Sequence, residues 1–214
     1  MKDFPVFTTD GGVSSLTLRQ IPYRKEAYIR LQDVQEGGLE EHLQECASFC
    51  RIAGAERVFA SGHEGLERYP LHMRLIEMRG VPSLDEDLLE NIWPVTAETA
   101  GRWRSIYNEK MRPVDNAALL EQRDEAGLAE SGGAYFIHRD GQLLGIGWIQ
   151  GDTLKAIASL VPGMGRRVAH TLLSVIPGHS IRLEVASTNE RAIRLYEGLG
   201  LLQVRELERW YKIF

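Results

Sequence analysis

Glu184-Val185-Ala186-Ser187-Thr188-Asn189-Glu190-Arg191-Ala192-Ile193-Arg194-Leu195-Tyr196-Glu197-Gly198-Leu199-Gly200 is the stretch whose reading decides the fold. A strand, predicted over 180–186, ends at the polar turn Ser187-Thr188. Asn189 follows as a helix N-cap, because its side-chain oxygen can take up an amide that the first helical turn leaves unpaired. Ala192, Leu195 and Tyr196 then recur at spacings of three and four and share one helical face. Gly200 is a C-terminal stop.

Working back from this stretch, 165–176 reads as a helix, and 153–161 as a strand. Residues 134–138 and 143–150 read as two strands around Arg139-Asp140-Gly141-Gln142. Asp-Gly between alternating apolar runs is a strong signal for a tight hairpin. Residues 91–95 read as a short strand. A helix begins at Thr96, with Trp103, Ile106, Tyr107 and Met111 on one face, and Pro113 breaks it. Residues 115–127 read as a second helix, and 202–214 as a closing strand. The order from residue 88 is β-α-α-β-β-β-α-β-α-β.

Before it, Gly80-Val81-Pro82-Ser83-Leu84-Asp85-Glu86-Asp87 concentrates Gly, Pro and acid, and a boundary is expected near residue 84. The expected domains are therefore 1–84 and 85–214. The first reads as strands at 13–20 and 26–34 around a turn at Ile21-Pro22-Tyr23-Arg24, and a helix from Leu39 to Gly54. Two further strands follow at 57–61 and 71–78.

Composition narrows the function classes. With 43% apolar and 26% charged residues, the chain of 214 can bury a core and is not a disordered polymer. Ten Lys/Arg against thirteen Asp/Glu in residues 1–85, and fifteen against seventeen after it, leave neither part basic. A nucleic-acid partner is not expected. No apolar run approaches the roughly 20 residues of a membrane span, and the start, Met1-Lys2-Asp3-Phe4-Pro5, has no signal-peptide core. Cys46 and Cys50 alone make no disulfide framework. A cytoplasmic enzyme or binding domain is expected, without membrane contact; a homodimer is compatible with it.

Through Asn189, Ala192, Leu195, Tyr196, Glu197 and Gly200, and through the element order of 88–214, the sequence resembles the GNAT superfamily of acyl-CoA-dependent N-acetyltransferases. The resemblance covers about 60% of the chain. It implies an α/β (α+β) fold with a mixed, mostly antiparallel sheet flanked by helices. It also implies acetyl transfer from acetyl-CoA, as cosubstrate, to a primary amine of a small molecule or peptide. The amine attacks the thioester carbonyl through a tetrahedral intermediate, and CoA leaves as a thiolate. In the family, the tyrosine at the position of Tyr196 is often the acid that protonates this sulfur. A thiol near ~8.5 and a phenol near ~10 are close enough for that exchange. The alternative for Tyr196 is a ring packed between helix and sheet. Asn189 is a cap in either case, and in the family it also supports the pantetheine arm.

The family's second hallmark is a phosphate loop of the form Gln/Arg-x-x-Gly-x-Gly/Ala, opening a helix after a strand. Here that region reads Leu160-Val161-Pro162-Gly163-Met164-Gly165-Arg166-Arg167-Val168-Ala169. Amides at a helix N-terminus cradle phosphate, glycine permits close approach, and Arg166 and Arg167 add positive charge. Aligning Ala169 with the last small residue puts Met164 at the Gln/Arg position and Arg167 where the family prefers Gly, a departure from the pattern. The cofactor-binding candidates are Leu160, Val161, Gly163, Gly165, Arg166, Arg167, Val168, Ala169, Asn189, Ala192 and Tyr196. An amide near Leu160 or Val161 is the family's oxyanion donor. Substrate candidates are Glu109, Arg112, Asn116 and Glu184. The first three lie in or beside the helix connection that lines the family's acceptor site, and Glu184 is on the strand before the motif. Trp210 and Tyr211 either border that cleft or pack in a core. His42, Cys46 and Cys50 share a helical face, but cysteine on an apolar stripe behaves as a small hydrophobe, and no metal is expected.

Residues 1–84 lack the Asn-x-x-Ala-x-x-Leu-Tyr pattern, yet their element order echoes the central half of the same fold. The loop at the matching place, Gln35-Glu36-Gly37-Gly38, is acidic and ill-suited to pyrophosphate. This part reads as a truncated, non-catalytic GNAT-like half. A cap over the acceptor cleft and a dimerisation module are the other readings. For the whole chain, the alternative to an enzyme is a catalytically silent CoA- or ligand-binding protein on the same scaffold, or a structural partner.

Overall fold

A computed structural model describes residues 5–115, 117–176 and 180–214. Two compact units emerge: Met1–Leu75 with Glu206–Phe214, and Ile76–Arg205. The division falls inside one strand, β5 below, and not near residue 84. The Gly-Pro-acid segment punctuates the sequence, but residues 85–90 are bound to a helix of the second unit. There the Asp85 amide donates to His170 Nδ1, and the Glu90 amide donates to Thr171 Oγ1. Among the described residues no helix is long and apolar enough to cross a membrane.

The first unit contains β1 (Val6–Thr9), β2 (Gly12–Thr17), a single helical turn α1 (Ile21–Arg24), β3 (Glu26–Val34), α2 (Leu39–Ile52), β4 (Arg57–Ser61) and the first half of β5 (Leu71–Gly80). The predicted turn at 21–24 is this one-turn helix, whose second position Pro22 can fill because N–H groups of the first turn have no intrahelical acceptor. β1, β2 and β3 form an antiparallel meander, and β3 and β4 run parallel through five residue pairs. Leu43, Cys46, Ala47 and Cys50 of α2 are buried with Leu16, Ile29, Leu31 and Val58 of the strands. Burial pushes the Cys46 thiol up to about 11 and the Cys50 thiol up to about 12, so both are inert hydrophobes here.

His42 has no solvent exposure, with Nδ1 2.7 Å from Thr9 Oγ1 and Nε2 2.7 Å from Ser14 Oγ. Burial lowers its pKa, as it does for His138 and His170. The folded chain therefore takes up protons on these rings at lower pH than the unfolded chain, which protonates them near the ordinary 6.5. The unfolded state binds more protons as pH falls, so stability present above about pH 6.5 is lost below it, by at most about 1.4 kcal/mol per pH unit for each ring. A urea midpoint that drops between pH 7.5 and 5.5, and drops less in His42→Gln, is the expected result. Identical pH slopes for the two proteins would remove His42 from this account.

The second unit adds β6 (Asn91–Pro94), α3 (Ala100–Met111), α4 (Glu125–Glu130), β7 (Ala134–Arg139), β8 (Gln142–Gln150), β9 (Thr153–Ser159), α5 (Gly165–Leu173), β10 (Ile181–Ala186), α6 (Glu190–Glu197) and β11 (Leu202–Lys212), whose second half belongs to the first unit. Within this unit the strand order is β11-β5-β10-β9-β8-β7-β6, with β6 to β9 antiparallel neighbours and β10 parallel to β9. The β7–β8 hairpin has the predicted two-residue turn, with Asp140 at φ 49° and Gly141 at φ 79°. Of the helix predicted over 115–127, the described residues become helical only at the 3-10 turn Gln122–Asp124, which runs into α4. Glu121 and Asp124 form a capping box that opens this turn.

Two cores sit on opposite faces of this sheet. Val168, Leu172 and Leu173 of α5 and Tyr196 of α6 pack with Leu154, Leu183 and Val185. Trp103, Tyr107 and Met111 of α3 pack with Phe136, Ile146 and Ala158. Gly147 lets α5 approach, since a Cβ there would lie 2.2 Å from the Leu172 side chain.

Candidate functional site

The site begins with an extra residue. β9 stays paired with β8 from Gly145↔Ser159 to Gln150↔Thr153, but Trp148 faces Ala156 and Ile149 faces Leu154. Lys155 is thus a β-bulge. Parallel pairing with β10 covers only Arg182↔Thr153 and Leu183↔Leu154 and stops at that residue. A bulge bends its strand and increases local twist. Because β9 remains bound to β8, it is β10 that parts from it, and a wedge opens toward the carboxyl ends of both strands.

The wedge exposes main-chain groups. The Leu160 amide donates to the Leu144 carbonyl at 2.8 Å. Amides on a strand alternate between its two edges, so those of Ile157 and Ser159 face the wedge. The Leu160 amide expected as a donor is therefore committed to β8, and the amides on the β10 edge are those of Ile157 and Ser159. Sequence patterning could not find them, because the bulge that frees their partners leaves no composition signal.

The phosphate-loop candidates lie at the mouth. Gly163 has φ 82°, a left-handed conformation that favours glycine, and it turns the chain into α5. No side chain caps α5, its first turn holds no acid, and the first return bond runs from the Val168 amide to the Met164 carbonyl. The amides of Gly165, Arg166 and Arg167 thus form an uncapped, electropositive helix N-terminus. Arg166 is exposed, whereas Arg167 is turned back along the helix, 2.8 Å from Glu90 Oε1 and 3.2 Å from the Asp87 carbonyl. Glu90 also lies 3.6 Å from Arg139. Val168 and Ala169 are fully buried, so their side chains serve the core. Met164 and Val161 line a surface cavity of about 270 Å³ with Arg139, Asp140, Gln142 and Leu144.

At the other strand end, Asn189 Oδ1 accepts the Ala192 amide at 3.2 Å, the predicted cap. Ala192 packs against the α5-side core, and Tyr196 is buried within it. Desolvation pushes the Tyr196 phenol above the usual value for a tyrosine, so its hydroxyl keeps its proton. Gly200, at φ 92°, ends the helix as predicted.

On the α3 side, Thr188 donates to Asp115 Oδ2 at 2.6 Å, tying the helix connection to the turn before α6. Glu109 and Arg112 are exposed on the last turn of α3, with Glu109 3.3 Å from Lys110. Asn116 lies outside the described residues. Glu184 is exposed on β10, opposite the buried Leu183 and Val185. Trp210 and Tyr211 are core residues of the first unit; Trp210 meets Tyr28 edge-on at 5.2 Å, and Tyr211 pairs with Ala60.

Neither a protein-family model nor a curated protein matches this sequence. Solved structures do resemble it. A GCN5-related N-acetyltransferase from Anabaena variabilis is 11% identical with a TM-score of 0.62, covering 99% of this chain and 62% of that one. An acetyltransferase of the GNAT family from Colwellia psychrerythraea is 12% identical with a TM-score of 0.54, covering 97% and 84%. A functionally unknown conserved protein from Staphylococcus epidermidis is 10% identical with a TM-score of 0.57, covering 99% and 94%. At these identities the likeness is one of architecture, and it establishes that this chain has the fold of the GNAT-family acetyltransferases.

Proposed function

We propose that the second unit binds acetyl-CoA in the wedge between β9 and β10 and passes its acetyl group to a primary amine of a small molecule or peptide. The observation that carries this reading is the wedge itself: a parallel strand pair whose ladder ends at Leu183↔Leu154, beside the bulge at Lys155, with the Ile157 and Ser159 amides on the edge beyond that ladder and an uncapped helix N-terminus at its mouth. A strand edge that offers amides suits the amide-rich pantetheine arm, and the α5 N-terminus suits a pyrophosphate. The amides of Ile157 and Ser159 would hold the arm, and those of Gly165, Arg166 and Arg167 a phosphate, aided by the exposed Arg166. Bound there, acetyl-CoA supplies an activated thioester carbonyl. Tyr196 holds a proton, and because burial lifts its phenol away from the ordinary thiol range, giving that proton to sulfur requires a departing thiolate that is desolvated and raised alongside it. Glu184, exposed on β10, can take a proton from the amine.

The first unit is read as non-catalytic, because the same elements are closed there. β3 and β4 stay paired over the whole of β4, from Glu26↔Arg57 to Arg30↔Ser61. The start of α2 is covered by the β1–β2 turn: the Gln35 amide donates to the Gly11 carbonyl, and a Cβ on Gly11 would lie 2.7 Å from the Gly38 carbonyl oxygen. Glu40 and Glu41 occupy its first turn and would repel an anion.

Thermal unfolding with and without CoA and acetyl-CoA tests the proposal. At a hundred times Kd, a ligand of the folded state adds about 2.7 kcal/mol, a rise of several degrees for a chain of this size. No rise with either compound at millimolar concentration would remove the CoA site.

A further inference from the structure

The narrow end of the wedge carries an unusual set of side chains on the α3 face of the sheet. Arg182 and Glu184 alternate with the buried Ile181, Leu183 and Val185 and so face away from the α5-side core. Trp148 and Ala156, a cross-strand pair, pack on that same α3 face. Trp148 meets Trp103 edge-on at 6.4 Å. Two buried donors here, Trp148 Nε1 and Arg182 Nε, have no hydrogen-bond partner among the described residues. Leaving such a donor unmet is costly, and native proteins rarely do so without a role for it. Arg182, Glu184 and Lys155, the charges at this apex, form no ion pair among the described residues, whereas Arg167, Arg139 and Arg205 in the same unit are each paired with a glutamate.

We propose that the acceptor is an amine that also carries a carboxylate, a free amino acid in its simplest form, with its carboxylate held by Arg182 and the Trp148 N–H and its amine by Glu184. This rests on the reading of the wedge as the acetyl-CoA site. Arg182 faces Thr153, which faces Gln150, so Trp148 stands two strands away and two residues along, about 12 Å by strand geometry, and Arg182 and Glu184 are about 6.6 Å apart along one face. One small zwitterion spans those distances. Arginine suits a carboxylate because its planar fork offers parallel N–H donors. Glu184 matches the opposite pole and lies where β10 leaves β9, beside the thioester end of the wedge. Ala156 across the gap leaves room for the substrate.

Calorimetry on the full chain separates this inference from the reading beneath it. CoA is titrated first. The twenty proteinogenic amino acids are then titrated with and without saturating CoA, each beside its α-amide and its decarboxylated amine. The expected result is a set of amino acids that bind, with amides and decarboxylated amines weaker by roughly ten- to a hundredfold. In Arg182→Gln that preference disappears while the CoA titration is unchanged. Amino acids and their amides binding equally, no amino acid binding at all, or a preference that survives in Arg182→Gln would each overturn the amino-acid acceptor, whatever CoA does. Absent CoA binding with the carboxylate preference intact would overturn the acetyl-CoA reading alone. The comparison of amino acid with amide needs only the wild-type chain, so it stands even if a variant folds poorly.

Discussion

Deletion of Lys155 should give a folded protein that no longer responds to CoA. The bulge is one residue, and its neighbours already face opposite ways: Leu154 belongs to the α5-side core, and Ala156 packs on the α3 side. Removing the residue between them leaves both side chains on the faces that strand alternation assigns. β9 can then run straight, and β10 can continue its pairing beyond Leu183. The amides of Ile157 and Ser159 would bond to β10, and the wedge would close. The wild-type gain of about 2.7 kcal/mol at a hundred times Kd should fall to nothing, with cooperative unfolding at a similar or higher temperature. Lys155→Ala should keep the full response, because the extra residue and not its side chain opens the strands. A deletion variant that keeps the CoA-dependent rise in melting temperature would show that the wedge is not the binding site.

Tyr196→Phe should lower kcat by about a hundredfold or more, the usual scale of general acid catalysis, while the dissociation constant for CoA stays the same. The ring is buried in the α5-side core, and the substitution removes only the hydroxyl, so packing is preserved. The pH profile gives a second check. Burial raises the phenol above the usual range, so it stays protonated across the working pH. Activity should rise with pH as the acceptor amine loses its proton, with no alkaline fall from Tyr196 below about pH 10. Single-turnover thiol release reads both. A loss of less than about threefold would be too small for general acid catalysis and would leave Tyr196 as a core ring.

Much of this fold was legible along the chain because it depends on local chemistry. The Asn189 cap, the Ala192–Leu195–Tyr196 face and the Gly200 stop are short-range preferences, and each appears where it was expected. The Asp140-Gly141 turn is equally local, since only residues that tolerate positive φ can join two strands so tightly. Within 115–127 the described residues become helical only from Gln122, because the capping box that opens the turn lies at Glu121–Asp124.

The candidate site was legible only in part. Its helices announce themselves through caps and glycines, but its opening depends on how β9 meets two neighbours at once. Lys155 looks like any exposed strand lysine until the registers Trp148↔Ala156 and Ile149↔Leu154 show that it has no partner. Arg167 looks like a phosphate ligand until Glu90, far away in sequence, is found beside it. The pairing of Arg182 and Trp148 on one face is likewise invisible in their separation along the chain.

By itself, then, the sequence determined the capped helix α6, the turn into α5, the hairpin and the apolar faces that fill two cores, because these follow from preferences of neighbouring residues. Only the tertiary structure decided that β9 and β10 part at Lys155 while β3 and β4 do not, that Arg167 is neutralised, and that the unit division runs through β5. Those outcomes turn on strand register and on charges brought together from distant segments. Register is a relation between strands, fixed by hydrogen bonds that form only when the sheet does.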